Sequence, residues 1–352
     1  MRVKPPTRTA ASLIAVLVAG FLVVSTAVGA LAMTPDSAIG IAAGQGGTDA
    51  TEVDSCRTIS SSGRYVLTAD VRNVTVDTCL RVTASDVTID GRGHLVDGLG
   101  DFGTTGVRVE GGSNVTVRNV EATDWDDGVR FAGTRRSLVA NTTTARNRVG
   151  LSLVSFRDSR AVNNVARSNA VAGVFLVGSS SNVTLRNTRA NENALVGVQL
   201  VEATGTTVTG TVARGNEYGV ALLGANGNVV RDSTATRNHI AGIWLSAASD
   251  NRIRENRVTN RFYGVYLADG AENNTVEAND ADGNSVGVRL RASDRNAILR
   301  NRVVDSSDTG ILLISSDGNR IAGNRGDGNR RGIVVSKSSS GNVRSNNSVG
   351  EA

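Results

Sequence analysis

GIWLSAASDNRIRENRVTNRFYGVYL, residues 242–267, holds one full period of a repeat that runs through most of the chain. It opens on Gly242 followed by an apolar, any, apolar triplet, and the same figure returns at Gly264. Between them lie Asn251 and Asn256, five apart, and Asn260, four before the next glycine. Working outward, the glycine figure occurs eleven times: at Gly106, Gly128, Gly150, Gly173, Gly197, Gly219, Gly242, Gly264, Gly287, Gly310 and Gly332, always 22 to 24 residues apart. An Asn stands three or four residues before eight of these eleven glycines, from Asn147 to Asn329. Asn pairs five apart recur from Asn114/Asn119 to Asn342/Asn347.

An apolar, any, apolar step has period two, which describes strands and not helices. Three short strands per 22–23 residues, separated by Asn and Gly corners, describe one rung of a right-handed parallel β-helix. The expected fold is therefore all-β, a single-stranded solenoid of at least eleven rungs. Each strand pairs with its counterpart in the rungs above and below. Gly supplies the backbone conformations of tight corners, and inward Asn amides can bond from rung to rung, satisfying backbone groups that would otherwise be buried unpaired. The rungs fill residues 106–352, and residues 56–105 supply an N-terminal cap and opening rungs.

Ahead of the repeat the composition changes. No residue from Thr9 to Pro35 is charged, while Arg2, Lys4 and Arg8 precede that run. Residues 1–33 thus read as a signal peptide, with Ala30-Leu31-Ala32 as the cleavage site, or as one membrane anchor. Either one exports the rest, to the cell surface or beyond. Residues 34–55 read as a flexible spacer. In an exported chain the only two cysteines, Cys56 and Cys79, are expected to form a disulfide. Beyond residue 8 the chain carries 35 basic and 33 acidic residues, with no run of Lys or Arg. No basic face is expected, and nucleic acid is not expected as a partner.

The stretch CRTISSSGRYVLTADVRNVTVDTCLRVTASDVTIDGRGHLVDG, residues 56–98, resembles the opening segment of secreted prokaryotic β-helix proteins related to NosD. The rungs after it are similar to that family's parallel β-helix repeats, which also occur in carbohydrate-binding and sugar-hydrolase modules. The resemblance implies the solenoid. For function it admits glycan binding, polysaccharide hydrolysis, lysis or epimerisation, and periplasmic copper-site maturation.

Copper sites favour Met, Cys and His. After Ala32 the chain has Met33, the two cysteines, and His94 and His239 far apart in sequence, so direct copper ligation is not expected and no metal site is assigned. His94 is expected to pack or hydrogen-bond at the first corner. The middle residues of the triplets form one outward column that includes Arg108, Arg130, Phe175, Trp244, Tyr266 and Arg289. Tyr218 and Tyr263 flank it. Aromatic faces along a groove bury the apolar faces of sugars, and the arginines suit acidic ones. This column is the expected platform for an extracellular polysaccharide. Leu312 and Val334 farther along it could mark a contact between two copies. A catalytic alternative rests on Asp124, Asp126 and Asp127, which could serve as paired carboxylates or hold Ca²⁺, or on Tyr218 with His239.

Overall fold

A computed structural model describes residues 50–351. The leader assigned to residues 1–33 and the spacer up to residue 49 lie outside the described residues. The last part of the assigned spacer is corrected: Thr51–Val53 is already a strand, paired in parallel with Tyr65–Leu67.

The strands form three parallel sheets of 14, 13 and 12 strands, each complete rung giving one strand to each sheet. The first sheet runs from Thr51–Val53 to Val343–Ser345, the second from Arg57–Ile59 to Ile333–Val335, and the third from Leu95–Asp97 to Ser348–Glu351. The expected solenoid is the observed one. Cys56 and Cys79 are bonded to each other and join the first two rungs of the second sheet. Among the described residues no helix is long and apolar enough to cross a membrane.

The glycine triplets open the second-sheet strands. The first and third residues of the triplets from Gly106 to Gly310, such as Val107 and Val109 or Ile243 and Leu245, are buried in the core, and those after Gly332 are partly buried. The glycine itself serves a purpose other than the expected one. None of the repeat glycines from Gly106 to Gly310 has the positive φ that would require glycine. Each is instead crowded from inside. A Cβ on Gly242 would stand 2.4 Å from Asn260 Nδ2 and 2.9 Å from the Gly264 carbonyl oxygen. Left-handed backbone occurs instead at the corners, as between the first and third sheets at Asn119, Asn141, Asn163, Asn187, Gly210 and their successors, and between the third and second at Asp124, Arg146 and Ser168.

The two kinds of Asn signal mark the three corners. Asn147, Asn169, Asn193, Asn216, Asn238, Asn260 and Asn284 line the corner before the second sheet. From Asn251/Asn256 onward the first and second members of the five-apart pairs line the other two corners, whereas Asn114/Asn119 and Asn182/Asn187 stand one position earlier, in left-handed backbone on the outside. At Asn238 the arrangement is explicit. Its backbone N–H and its Nδ2 both donate to Asn260 Oδ1, at 3.0 and 2.9 Å, and Nδ2 also donates to the Ala213 carbonyl at 3.1 Å. The amides of the buried corner Asn, from Asn147 to Asn329, are thereby spent inside ladders, which meets the demand that buried polar groups be paired. Where Asn is missing in the early rungs Ser substitutes, as where Ser137 N–H donates to Ser159 Oγ at 2.9 Å.

Candidate functional site

The outer face of the second sheet carries the predicted column. Strand register places Arg108, Arg130, Ser152, Phe175, Gln199, Ala221, Trp244, Tyr266 and Arg289 one above another. Adjacent strands are about 4.8 Å apart, so neighbouring side chains in the column touch. Its three stretches differ in chemistry.

The first stretch is charged and internally neutralised. Arg108 Nε lies 2.5 Å from Glu110, which also takes Arg81 at 2.7 Å, and Arg130 Nη1 donates to Asp127 Oδ2 at 2.7 Å. The three expected catalytic carboxylates lie here, each held by a different arginine. Asp124, in left-handed backbone, accepts from Arg146 at 2.6–3.2 Å. Asp126 is buried against Arg148 and accepts the Gly103 N–H at 3.1 Å. Asp127 is buried against Arg130. Burial pushes its carboxyl above the ordinary range, against the pull of Arg130. The cluster therefore lacks the pair of open carboxylates that glycoside hydrolysis uses. Above it the loop 98–104 carries Phe102, which is 82% exposed, with Arg148 5.5 Å from the ring centre.

In the middle stretch the expectation of open aromatic rings is corrected. Phe175 and Trp244 are each only 2% exposed, and Ser152, Gln199 and Ala221 are buried with them. Lateral packing contributes to this. Tyr218 stacks on Trp244 with ring centres 4.5 Å apart and planes 24° apart, and Trp244 lies in register between Ala221 and Tyr266. Tyr218 is buried as well, and burial raises its hydroxyl pKa far above the ordinary value. A tyrosine base needs the opposite shift. His239, expected to work with Tyr218, instead meets the edge of Phe262 at 5.8 Å.

The last stretch is open and cationic. Tyr263 and Tyr266 are half-buried, with ring centres 4.8 Å apart, and Arg289 lies against both, its Cζ 4.9 Å from the Tyr263 ring and 5.2 Å from the Tyr266 ring. Arg289 also bonds the Tyr263 hydroxyl. Arg291, one strand beyond Ala268, is exposed, and hydrogen bonding with Tyr266 raises its pKa further. Neither arginine makes an ion pair among the described residues, in contrast to Arg108 and Arg130. Phe262, 39% exposed, extends the patch, with Arg261 5.4 Å from its ring centre. Phe262 and Arg291 were not among the predicted binding residues. Aligning the residue after each triplet would have found Arg291, which follows Arg289 by two positions and so shares its face.

Away from this face, His94 sits as expected, its Nδ1 3.1 Å from Asp70, whose pKa is lowered by the Leu95 N–H and by His94. A cleft of about 560 Å³ lies at the corner of the first and third sheets, lined by Asp90, Arg92, Asn119, Glu121, Asn141 and Thr143. Asp90 is committed there to Arg118 at 2.8 Å and to Asn119 at 2.9 Å.

The sequence profile of the right-handed β-helix region matches residues 37–213, 177–303 and 273–351, together most of the chain. The chain belongs to the right-handed β-helix family. A search of the curated proteins finds no match. Among solved structures this β-helix is similar to the periplasmic alginate epimerase AlgG, at 12% identity and a TM-score of 0.57, over 82% of this chain and 78% of that one. It is also similar to tailspike protein 3 of bacteriophage CBA120, at 13% identity and a TM-score of 0.57, over 80% of this chain and 52% of that one. At such identities the likeness is one of fold.

Proposed function

We propose that this β-helix is an exported protein that binds extracellular polysaccharide at the open end of its second-sheet face, through Tyr263, Tyr266, Arg289, Arg291 and Phe262. The observation that carries the reading is Arg289 laid against two tyrosine rings with no acidic partner. A guanidinium so placed is held by the rings and retains donors for a carboxylate or a sugar hydroxyl. The exposed Phe262 offers an apolar surface for a sugar face. A similar fold belongs to an alginate epimerase, so a polysaccharide is a ligand this architecture can carry.

Binding is favoured over catalysis because Asp124, Asp126 and Asp127 are each engaged by an arginine. Export follows the reading of residues 1–33. The NosD-like alternative of copper-site maturation is less favoured, since the cysteines are bonded to each other and the two histidines serve separate corners.

The test incubates the protein with neutral and acidic polysaccharides, with and without Ca²⁺, scoring both retention and new reducing or unsaturated ends. Retention without new ends is expected. The double variant Tyr266→Ala, Arg289→Ala should weaken retention by about tenfold, the loss typical of an aromatic and arginine hot spot. Undiminished retention by that variant would contradict the site, and new ends would establish an enzyme.

A further inference from the structure

The absence of a basic face, expected from the even spread of charge along the sequence, is corrected by the strand register. Between Arg160 and Arg257 the first and third sheets, with the corner that joins them, collect arginines from successive rungs. Arg186 and Arg189 stand on either side of a single turn. One rung before them, Arg160 pairs in register with Thr184 and Arg167 with Asn191, and one rung after them Asn191 pairs with Arg214. Arg257 continues the strip two rungs farther on. All six are exposed, and none makes an ion pair among the described residues. The strip's other arginines include Arg231 and Arg254, which are neutralised by Asp232 and Glu255 within it. At about 4.8 Å per rung the strip is about 19 Å long.

We propose that this strip is a second binding surface, for an extended acidic polysaccharide carrying carboxylates along its length. It is separate from the tyrosine and arginine patch of the second sheet. It rests on the polysaccharide reading only for the class of ligand. Unpaired guanidiniums repeated along one axis match a polymer with anionic groups repeated along its own, and each can grip a carboxylate through two parallel hydrogen bonds. Between the arginines the surface offers amides and hydroxyls for sugar hydroxyls. Asn187 Nδ2 bonds Asn163 Oδ1 at 3.1 Å, and Asn163 Nδ2 bonds Asn141 Oδ1 at 3.3 Å, forming an exposed row along the turn. Thr184, Thr207 and Thr209 lie beside it on the first sheet. None of the strands of these two sheets from Arg160–Val162 to Arg257–Thr259 carries an aromatic residue. The strip thus lacks the stacking platforms by which single-stranded nucleic acids are held, and this favours the glycan.

The test compares the full chain with its Arg186→Ser, Arg189→Ser, Arg214→Ser variant. The probes are polygalacturonate, dextran and a DNA oligonucleotide, over a series of salt concentrations. Binding to polygalacturonate should fall about tenfold in the variant at low salt, with a flatter salt dependence. Its thermal midpoint should be unchanged, because the three side chains are exposed. Unchanged affinity for polygalacturonate, equal binding of dextran, or tighter binding of DNA than of polygalacturonate would each overturn the proposal. A loss here with none in the Tyr266→Ala, Arg289→Ala variant would remove the second-sheet site and leave this one. The reverse result would do the opposite.

Discussion

Asn274→Ala is expected to destabilise the solenoid by about 3–5 kcal/mol, summing the orphaned donors and acceptor with the cavity. Asn274 Oδ1 accepts the Asn251 N–H at 2.9 Å and Asn251 Nδ2 at 3.0 Å. Its Nδ2 donates to the Ala248 carbonyl at 2.8 Å and to Asn296 Oδ1 at 3.0 Å. Truncation leaves two donors and a carbonyl stranded, at a position that is 1% exposed. Water cannot easily replace them in so dry a corner. Because the ladder continues through Asn228, Asn251, Asn296 and Asn319, the damage should spread to adjacent rungs. In solenoids, stability is the sum of such nearest-neighbour terms. Urea unfolding with hydrogen exchange would read this as a lower midpoint with protection lost first around residues 250–300. A change below about 1 kcal/mol would mean that the ladder contributes shape and not stability.

Gly242→Val should be more damaging still, preventing the central rungs from closing. The added Cβ would stand 2.4 Å from Asn260 Nδ2, 2.9 Å from the Gly264 carbonyl and 3.1 Å from Val258 Cβ. Two of these contacts are with groups of the corner ladder and the next strand, so neither can yield without breaking a rung. Overpacking alone costs about 1–3 kcal/mol in ordinary cores, and here the backbone must move as well. Gly224→Ala provides the contrast. Its φ is +58°, yet the nearest atom to a new Cβ is Glu202 Cγ at 3.7 Å, so it should lose only about 1 kcal/mol from backbone strain. Limited proteolysis and thermal unfolding of the pair separate crowding from strain. Equal effects would contradict the claim that the repeat glycines are selected by close approach.

That distinction shows how far the sequence could be read. The regular return of the glycine triplet and of the two Asn signals announces a parallel β-helix, since strands recur at 22 to 24 residues and the leucine-rich consensus of the other repeat of that length is missing. The stacking of inward Asn at corners was legible from the same pattern, and the pairing of Cys56 with Cys79 from the export reading of the leader and the presence of just two cysteines. Side-chain neighbourhoods were less legible. Trp244 does point outward as alternation demands, but alternation says nothing of the Tyr218 ring that lies across it. Asp124 beside Asp126 and Asp127 looks like an acidic cluster along the chain. Arg146 and Arg148, 22 residues later, come to rest over two of them only once the rungs stack. The same stacking gathers Arg160, Arg186, Arg189 and Arg214 from a sequence in which no two are adjacent. In a solenoid the functional surface is written across rungs, one residue per period, and becomes visible only in register.

The most direct test of the polysaccharide reading is a crystal structure of the protein with an acidic oligosaccharide. Sugar density is expected against Tyr263, Tyr266 and Phe262, with a carboxylate in reach of Arg289 or Arg291. Density lodged instead over Asp126 and Asp127 beneath the 98–104 loop, or no occupancy of the second-sheet face at saturating ligand, would contradict that reading.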